Sequence, residues 1–175
     1  MTETIRVRPP QDGDDAGLAR LYPRAFPGED LLPLVMRLHR EVPGLVALVA
    51  CAGEAVVGHV AFTPCFVGAR SEGVALLGPL AVQPAWQGRG IGSNLVRRGL
   101  AALRAEDVAA VLVLGDPAYY GRFGFGAETR ILPPYDLPPE WRDAWQSLGL
   151  RPVPAPLAGR LSLPPPWQAP ALWAP

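Results

Sequence analysis

The densest chemical signal in the chain is Gln87-Gly88-Arg89-Gly90-Ile91-Gly92, with three glycines in five positions. Glycine lets a backbone adopt positive φ and approach a ligand closely. The residues that follow have helical periodicity, and the first amides of a helix lack partners and sit at its positive end. A pyrophosphate fits such a cradle. A plain glycine-rich loop before a helix would read the same way on spacing alone.

Two further stretches bear on the same chemistry. Leu76-Leu77-Gly78-Pro79-Leu80-Ala81-Val82 reads as a central strand, yet proline has no N–H for a ladder. Gly-Pro inside it predicts a bulge that splays this strand from its neighbour, leaving amides and carbonyls for an extended ligand. An edge strand with its proline toward water is the alternative. Gly115-Asp116-Pro117-Ala118-Tyr119-Tyr120-Gly121-Arg122-Phe123-Gly124-Phe125 lies just past an apolar run, where open α/β sheets put their ligands. Two adjacent tyrosines on a short helix cannot both point inward, so one is expected to face a ligand.

The elements that must position these residues follow from periodicity and breakers. Thr4–Arg8 predicts a strand, Asp12 to Phe26 a capped helix, and Glu29–Arg40 a second helix with Pro33 in its first turn. Leu45–Ala52, Ala55–Val67 and Val74–Val82 read as an antiparallel meander with a turn at Gly53-Glu54. After the glycines comes a helix with Ile91, Leu95, Val96, Leu100 and Leu103 on one face. Val108–Leu114 then reads as a strand parallel to Val74–Val82, the βαβ arrangement.

Together these features resemble the GNAT superfamily of acetyl-CoA-dependent N-acetyltransferases. Gln87, Gly90 and Gly92 match its Q/R-x-x-G-x-G/A motif, and Gly78–Val82 its bulged strand. Tyr119, Tyr120, Arg122, Gly124 and Phe125 match its later F-Y-x-K/R-x-G-F pattern. The G-D-P-x-Y-Y-x-R-F-G-F run looks like a small bacterial subgroup of predicted acetyltransferases. The match covers roughly residues 3 to 130 and departs at Gly115-Asp116, where many members carry an Asn that meets the cofactor.

The resemblance implies an α/β (α+β) fold: a mixed central sheet with a splayed parallel strand pair and flanking helices. A GNAT domain would span 1–130, with a Pro/Trp-rich C-terminal extension over 131–175. It implies direct acetyl transfer from acetyl-CoA to an amine of a small molecule or peptide. Gly88, Arg89, Gly90, Ile91, Gly92 and Ser93 would hold the pyrophosphate, with Gln87 and Tyr119 also at the cofactor. Leu80, Ala81 and Val82 would pair with the pantetheine arm, and Tyr120 would protonate the leaving thiolate. For the base, Glu29, Asp30, His59, Glu72 and Asp116 are candidates, directly or through water. His59 also reads as a satisfied structural histidine and His39 as a solvated helix residue. A non-catalytic acyl-CoA-binding module and a nucleotide-binding oxidoreductase are the competing readings.

Composition limits the rest. The chain has 175 residues, 49% hydrophobic and 18% charged, with 16 basic and 16 acidic residues. That balance excludes disorder and argues against nucleic-acid binding. All the basic residues are Arg, which removes the P-loop, Schiff-base and Ser-Lys chemistries that require lysine. Cys51 should face about position 56, roughly 30 Å along the strand from Cys65, so two free thiols are expected. Neither they nor His39 and His59 have metal spacing, so no metal is expected. The first residues, M-T-E-T-I-R-V-R, contain no apolar signal core, and no run spans a bilayer. The expectation is a cytoplasmic monomer or homodimer with no membrane partner. Twelve of 22 prolines and four of five tryptophans lie in the last 45 residues. Trp141, Trp145, Trp167 and Trp173 are too apolar for a free tail and should pack. Ala144–Leu150 and Leu157–Leu163 read as short strands there, and Pro164–Pro175 as irregular.

Overall fold

A computed structural model describes residues 3–175. The chain forms two compact units: one of residues up to Phe62 with Gly78–Ala102, the other of Thr63–Leu77 with Leu103–Pro175. The fold is mixed α/β, its sheet mostly antiparallel with a parallel β4/β5 pair.

In the first unit, β1 (Ile5–Arg8) pairs antiparallel with β2 (Val46–Ala52), and β2 with the start of β3 (Ala55–Val67). Cys51 stands opposite Val56, the register expected from the Gly53-Glu54 turn, and both cysteines are buried free thiols. Helix α1 (Asp15–Ala25) follows a 3-10 turn at Asp12–Asp14. The Asp14 carboxylate there accepts two hydrogen bonds from Arg8, at 2.7 and 2.9 Å, and one from the Gln11 amide at 2.7 Å. The Arg8 guanidinium holds that carboxyl below its usual range. Helix α2 (Leu32–Glu41) begins three residues later than the pattern predicts. The Glu29 amide closes a turn onto the Phe26 carbonyl, and Pro33 brings a preset helical φ to the first turn. Leu18, Leu21, Tyr22, Val35, Val49, Cys51, Val56 and Ala81 form the core between these helices and the sheet.

The long helix α3 (Ile91–Ala105) buries Ile91, Leu95, Val96 and Leu100. Gly99 lies flat against the Phe62 ring, where any Cβ would strike the aromatic carbons. The C-terminal half of β4 (Val74–Val82) belongs to this unit.

In the second unit, the N-terminal half of β4 pairs parallel with β5 (Ala110–Leu114), joining Ala75–Leu77 to Val111–Val113. Gly78 follows at once with φ +147°, joined to Pro79 by a cis peptide bond. Helix α4 (Pro117–Tyr120) comes after β5, and β6 (Gly126–Ala127) after α4. The last 45 residues complete this unit. From them β8 (Trp145–Gly149) runs antiparallel beside β5 over five residue pairs and also pairs with β6. The strand β9 (Gly159–Ser162) joins the end of β3 to β7 (Ile131–Leu132).

The proline-rich end departs from the expected irregularity. Pro165–Trp167 and Pro170–Trp173 each form a 3-10 turn with proline in its opening positions, where no amide donor is needed. Trp145, Trp167 and Trp173 are buried, with ring centroids of Trp173 5.9 Å from both others, while Trp141 is half-buried. Each buried indole N–H has a partner: Ile131 O at 2.7 Å, Thr63 Oγ1 at 2.9 Å and Trp167 O at 3.2 Å respectively. Thr63→Val keeps the shape and removes the acceptor for Trp167. It should cost about 1–3 kcal/mol, read as a lower urea midpoint with unchanged slope.

Candidate functional site

The glycine turn is built in three steps. The Gln83 amide donates to the Val57 carbonyl at 2.8 Å, ending β4, and Pro84–Trp86 turns the chain. The Gln87 side chain reaches back to the Val82 carbonyl at 3.1 Å and braces the loop. Gly88 and Gly90 then adopt φ +75° and +80°, and among the described residues nothing lies within 4 Å of where a Cβ would stand on either. The glycines therefore leave open space as well as permitting the turn. Helix α3 starts at Ile91, inside the motif, and the Gly90 carbonyl accepts from Asn94 at 3.0 Å. Ile91 is buried, so what it can offer a ligand is its amide. The first-turn amides of α3 are the donors an anion would use, together with the helix dipole. Arg89 is exposed and stacks 4.7 Å from the Trp86 ring centre. On β4, Ala81 is in the core while Leu80 and Val82 are half-buried.

The tyrosine motif lies in the other unit. Asp116 caps α4, its Oδ1 accepting from the Ala118 amide at 2.9 Å, so this departure from the family pattern has a local structural role. The buried Gln146 donates to the Gly115 carbonyl at 3.1 Å. Gly115 also makes room for Tyr120, whose ring occupies the space a Cβ would take. Tyr120 is half-buried beside Tyr119 (5.0 Å) and Phe125 (5.8 Å). Burial, with a smaller effect of Tyr119, pushes its phenol well above 10. Tyr119 instead lies under Arg122, 4.5 Å from its ring centre. Of the two rings, Tyr120 is the one packed onto Gly115.

The candidate bases separate clearly. Glu72 is held by Arg70 at 2.7 Å, and Asp116 is a cap. Glu29 and Asp30 line a cavity of about 390 Å³ with Tyr22, Phe26, Leu31 and Leu32. His59 is fully buried, with Nδ1 2.6 Å from the Tyr22 hydroxyl and Nε2 2.9 Å from His39 Nε2. His39 is therefore not a solvated helix residue. Its position on the core side of α2, beside Leu38 and Val35, brings it half-buried onto β3. Tyr22 carried no signal in the sequence, because its partner lies 37 residues away.

Burial and the neighbouring His39 hold His59 down to about 3, against an ordinary 6.5. The unfolded chain takes up a proton below 6.5 that the folded chain refuses. The contribution of His59 to stability is therefore complete above 6.5 and is lost as pH falls toward 3, by about 1.4 kcal/mol per pH unit at full slope. Between about pH 7 and about pH 5, His59→Gln should flatten the loss of urea midpoint relative to the parent. The Asp14–Arg8 pair does not tilt this window: Asp14 starts from 3.8 and is lowered further, so its contribution is complete above 3.8 and is lost only as pH falls below that.

Among the described residues, no group of three or more His, Cys, Asp or Glu could hold a metal, and no helix is long and apolar enough to cross a membrane.

Residues 16–125 match the acetyltransferase (GNAT) family. The uncharacterized N-acetyltransferase YjhQ of Escherichia coli K12 is 34% identical over 137 residues, 75% of either chain. The uncharacterized N-acetyltransferase YhbS of the same strain is 38% identical over 122 residues, 69% of this chain and 72% of that one. Among solved structures, the YhbS complex with CoA superposes with a TM-score of 0.83 at 28% identity, covering 97% of this chain and 94% of the other. A Brucella melitensis GNAT family acetyltransferase in complex with acetyl-CoA gives 0.77 at 29% identity, covering 95% and 100%. With a family match over most of its length and relatives above 30% identity, this chain belongs to the GNAT acetyltransferase family.

Proposed function

We propose that this chain transfers the acetyl group of acetyl-CoA directly to an amine of a small molecule or peptide. The observation that carries the reading is the cradle: Gly88 and Gly90 at positive φ, open space above both, and the first turn of α3 directly behind them. That set suits a pyrophosphate in a chain without a single lysine. The complexes of related chains with acetyl-CoA and CoA point to the same cosubstrate.

In this reading the amides of Gly88 to Ser93 and the Arg89 charge bind the pyrophosphate. The backbone of Leu80 to Val82 pairs with the pantetheine arm, and a strand amide polarises the thioester carbonyl. Tyr120 gives its hydroxyl proton to the departing thiolate. Its raised phenol keeps that proton in place at every ordinary pH.

The test is a panel of primary amines offered with acetyl-CoA, read as free thiol. Acceptor-dependent thiol release supports the reading. Tight acetyl-CoA binding without release across the panel would leave an acyl-CoA-binding module. Binding of a dinucleotide in place of acetyl-CoA would favour an oxidoreductase.

A further inference from the structure

His59 has no contact with solvent, yet its two ring nitrogens are engaged by the buried Tyr22 and the half-buried His39, residues that line two different cavities. On one side is Tyr22, which lines the 390 Å³ cavity with Phe26, Leu31, Glu29 and Asp30. On the other is His39, which lines a second cavity of about 540 Å³ with Asp12, Asp15, Arg40 and the Pro9-Pro10 turn. The distances of 2.6 and 2.9 Å make Tyr22–His59–His39 one continuous hydrogen-bonded chain whose end residues belong to the walls of two cavities. A histidine serving packing alone needs neither a second histidine nor cavities at both ends.

We propose that Tyr22, His59 and His39 form a proton exit, carrying the proton lost by an acceptor ammonium from the first cavity to the second. The inference rests on the acetyltransferase reading. It places the acceptor in the first cavity, where Glu29 and Asp30 suit a cation and Phe26, Leu31 and Leu32 suit an apolar body. The step balances. The ammonium gives a proton to Tyr22 Oη as the hydroxyl proton of Tyr22 passes to His59 Nδ1. His59 releases its Nε2 proton to His39 Nε2, and His39 releases its Nδ1 proton to water in the second cavity. The amine is left neutral with a free lone pair, and the three side chains end uncharged with both imidazoles in the opposite tautomer, so each ring must turn over before the next cycle. His59 exchanges one proton for another and never holds a net charge, which suits a site where burial disfavours the imidazolium. His39 faces Asp14 and Asp15, whose charges favour a transient cation at the exit, while Arg40 lines the same opening. Tyr22 is the group that meets the acceptor; His59 and His39 act through it.

The experiment compares 2-phenylethylamine, an ammonium at neutral pH, with its 2,2-difluoro analogue, whose fluorines hold the nitrogen largely unprotonated under mildly alkaline conditions. Both are assayed at one mildly alkaline pH with acetyl-CoA, and the amide is measured by mass spectrometry. His39→Gln preserves an acceptor for His59 but cannot pass a proton. It should lower kcat for 2-phenylethylamine by roughly 10²-fold and leave the difluoro analogue unaffected. Tyr22→Phe should lower kcat for 2-phenylethylamine by a larger factor than for the difluoro analogue. The double variant should be no slower than the slower single variant, because a chain broken once is fully broken. Circular dichroism checks the fold, and the half-buried His39 site keeps the test available if Tyr22→Phe is unstable. Equal losses on both acceptors, no loss on either, or additive losses would overturn the proton exit while leaving the acetyltransferase reading intact. A parent enzyme that acetylates neither amine overturns the exit from this cavity. The broader reading then stands or falls on the amine panel.

Discussion

Tyr120→Phe is expected to lower turnover by roughly 10²- to 10⁴-fold with acetyl-CoA affinity unchanged. The substitution removes one oxygen. The ring still fills the space left by Gly115 and packs on Tyr119 and Phe125, so the fold should hold. The same burial that raises the phenol makes it a weaker acid, but it raises the basicity of a thiolate leaving into the same dry surroundings. Ionisation of this donor lies above pH 10, so it should cause no alkaline fall in rate below that value. Tyr119→Phe is the control. Its ring is held under Arg122, and losing its hydroxyl should cost less. Steady-state kinetics with any accepted amine, alongside calorimetric titration of acetyl-CoA, separates the two effects. Full activity in Tyr120→Phe would remove the proton-donor role.

The second large effect is at Gly90. Acetyl-CoA should raise the melting temperature of the parent protein, and Gly90→Asp should abolish that rise. Among the described residues a Cβ at Gly90 meets nothing within 4 Å, so the loss would not come from crowding by them. It would come from two other sources. At φ +80° a side chain is strained by about 1–2 kcal/mol. A carboxylate beside the first turn of α3 would also occupy the place of the pyrophosphate and repel it. Gly90→Ala carries the strain without the charge and should retain part of the shift. An undiminished shift in Gly90→Asp, with the circular dichroism spectrum intact, would move the anion site elsewhere.

What was legible in the sequence was local. The glycine turn, the irregular backbone at Gly78-Pro79 within β4 and the Tyr119-Tyr120 helix each depend on residues within a few positions of one another. The register of Cys51 against Val56 followed from one tight turn. What was not legible depends on distance along the chain. His39 and His59 are 20 residues apart, and Tyr22 and His59 are 37, so no window of periodicity could link them. The 63–167 hydrogen bond that anchors the tail spans 104 residues. Gly115 reads as a departure from a motif until the Tyr120 ring is seen in its place. The 3-10 turns at the end were hidden because proline blocks α-helix and strand, whereas a short 3-10 turn needs few donors and leaves no periodic pattern.

In the proposed reaction the acetyl group passes from acetyl-CoA to an amine nitrogen without stopping on the protein. This route is tested most directly by a single turnover with carbon-13-labelled acetyl-CoA and an accepted amine, quenched over time and read by mass spectrometry. Direct transfer should give labelled amide in equal amount with free CoA thiol, only when the amine is present, and no labelled protein at any time. Label on the chain before it appears on the amine, or thiol release that does not depend on the amine, would contradict it.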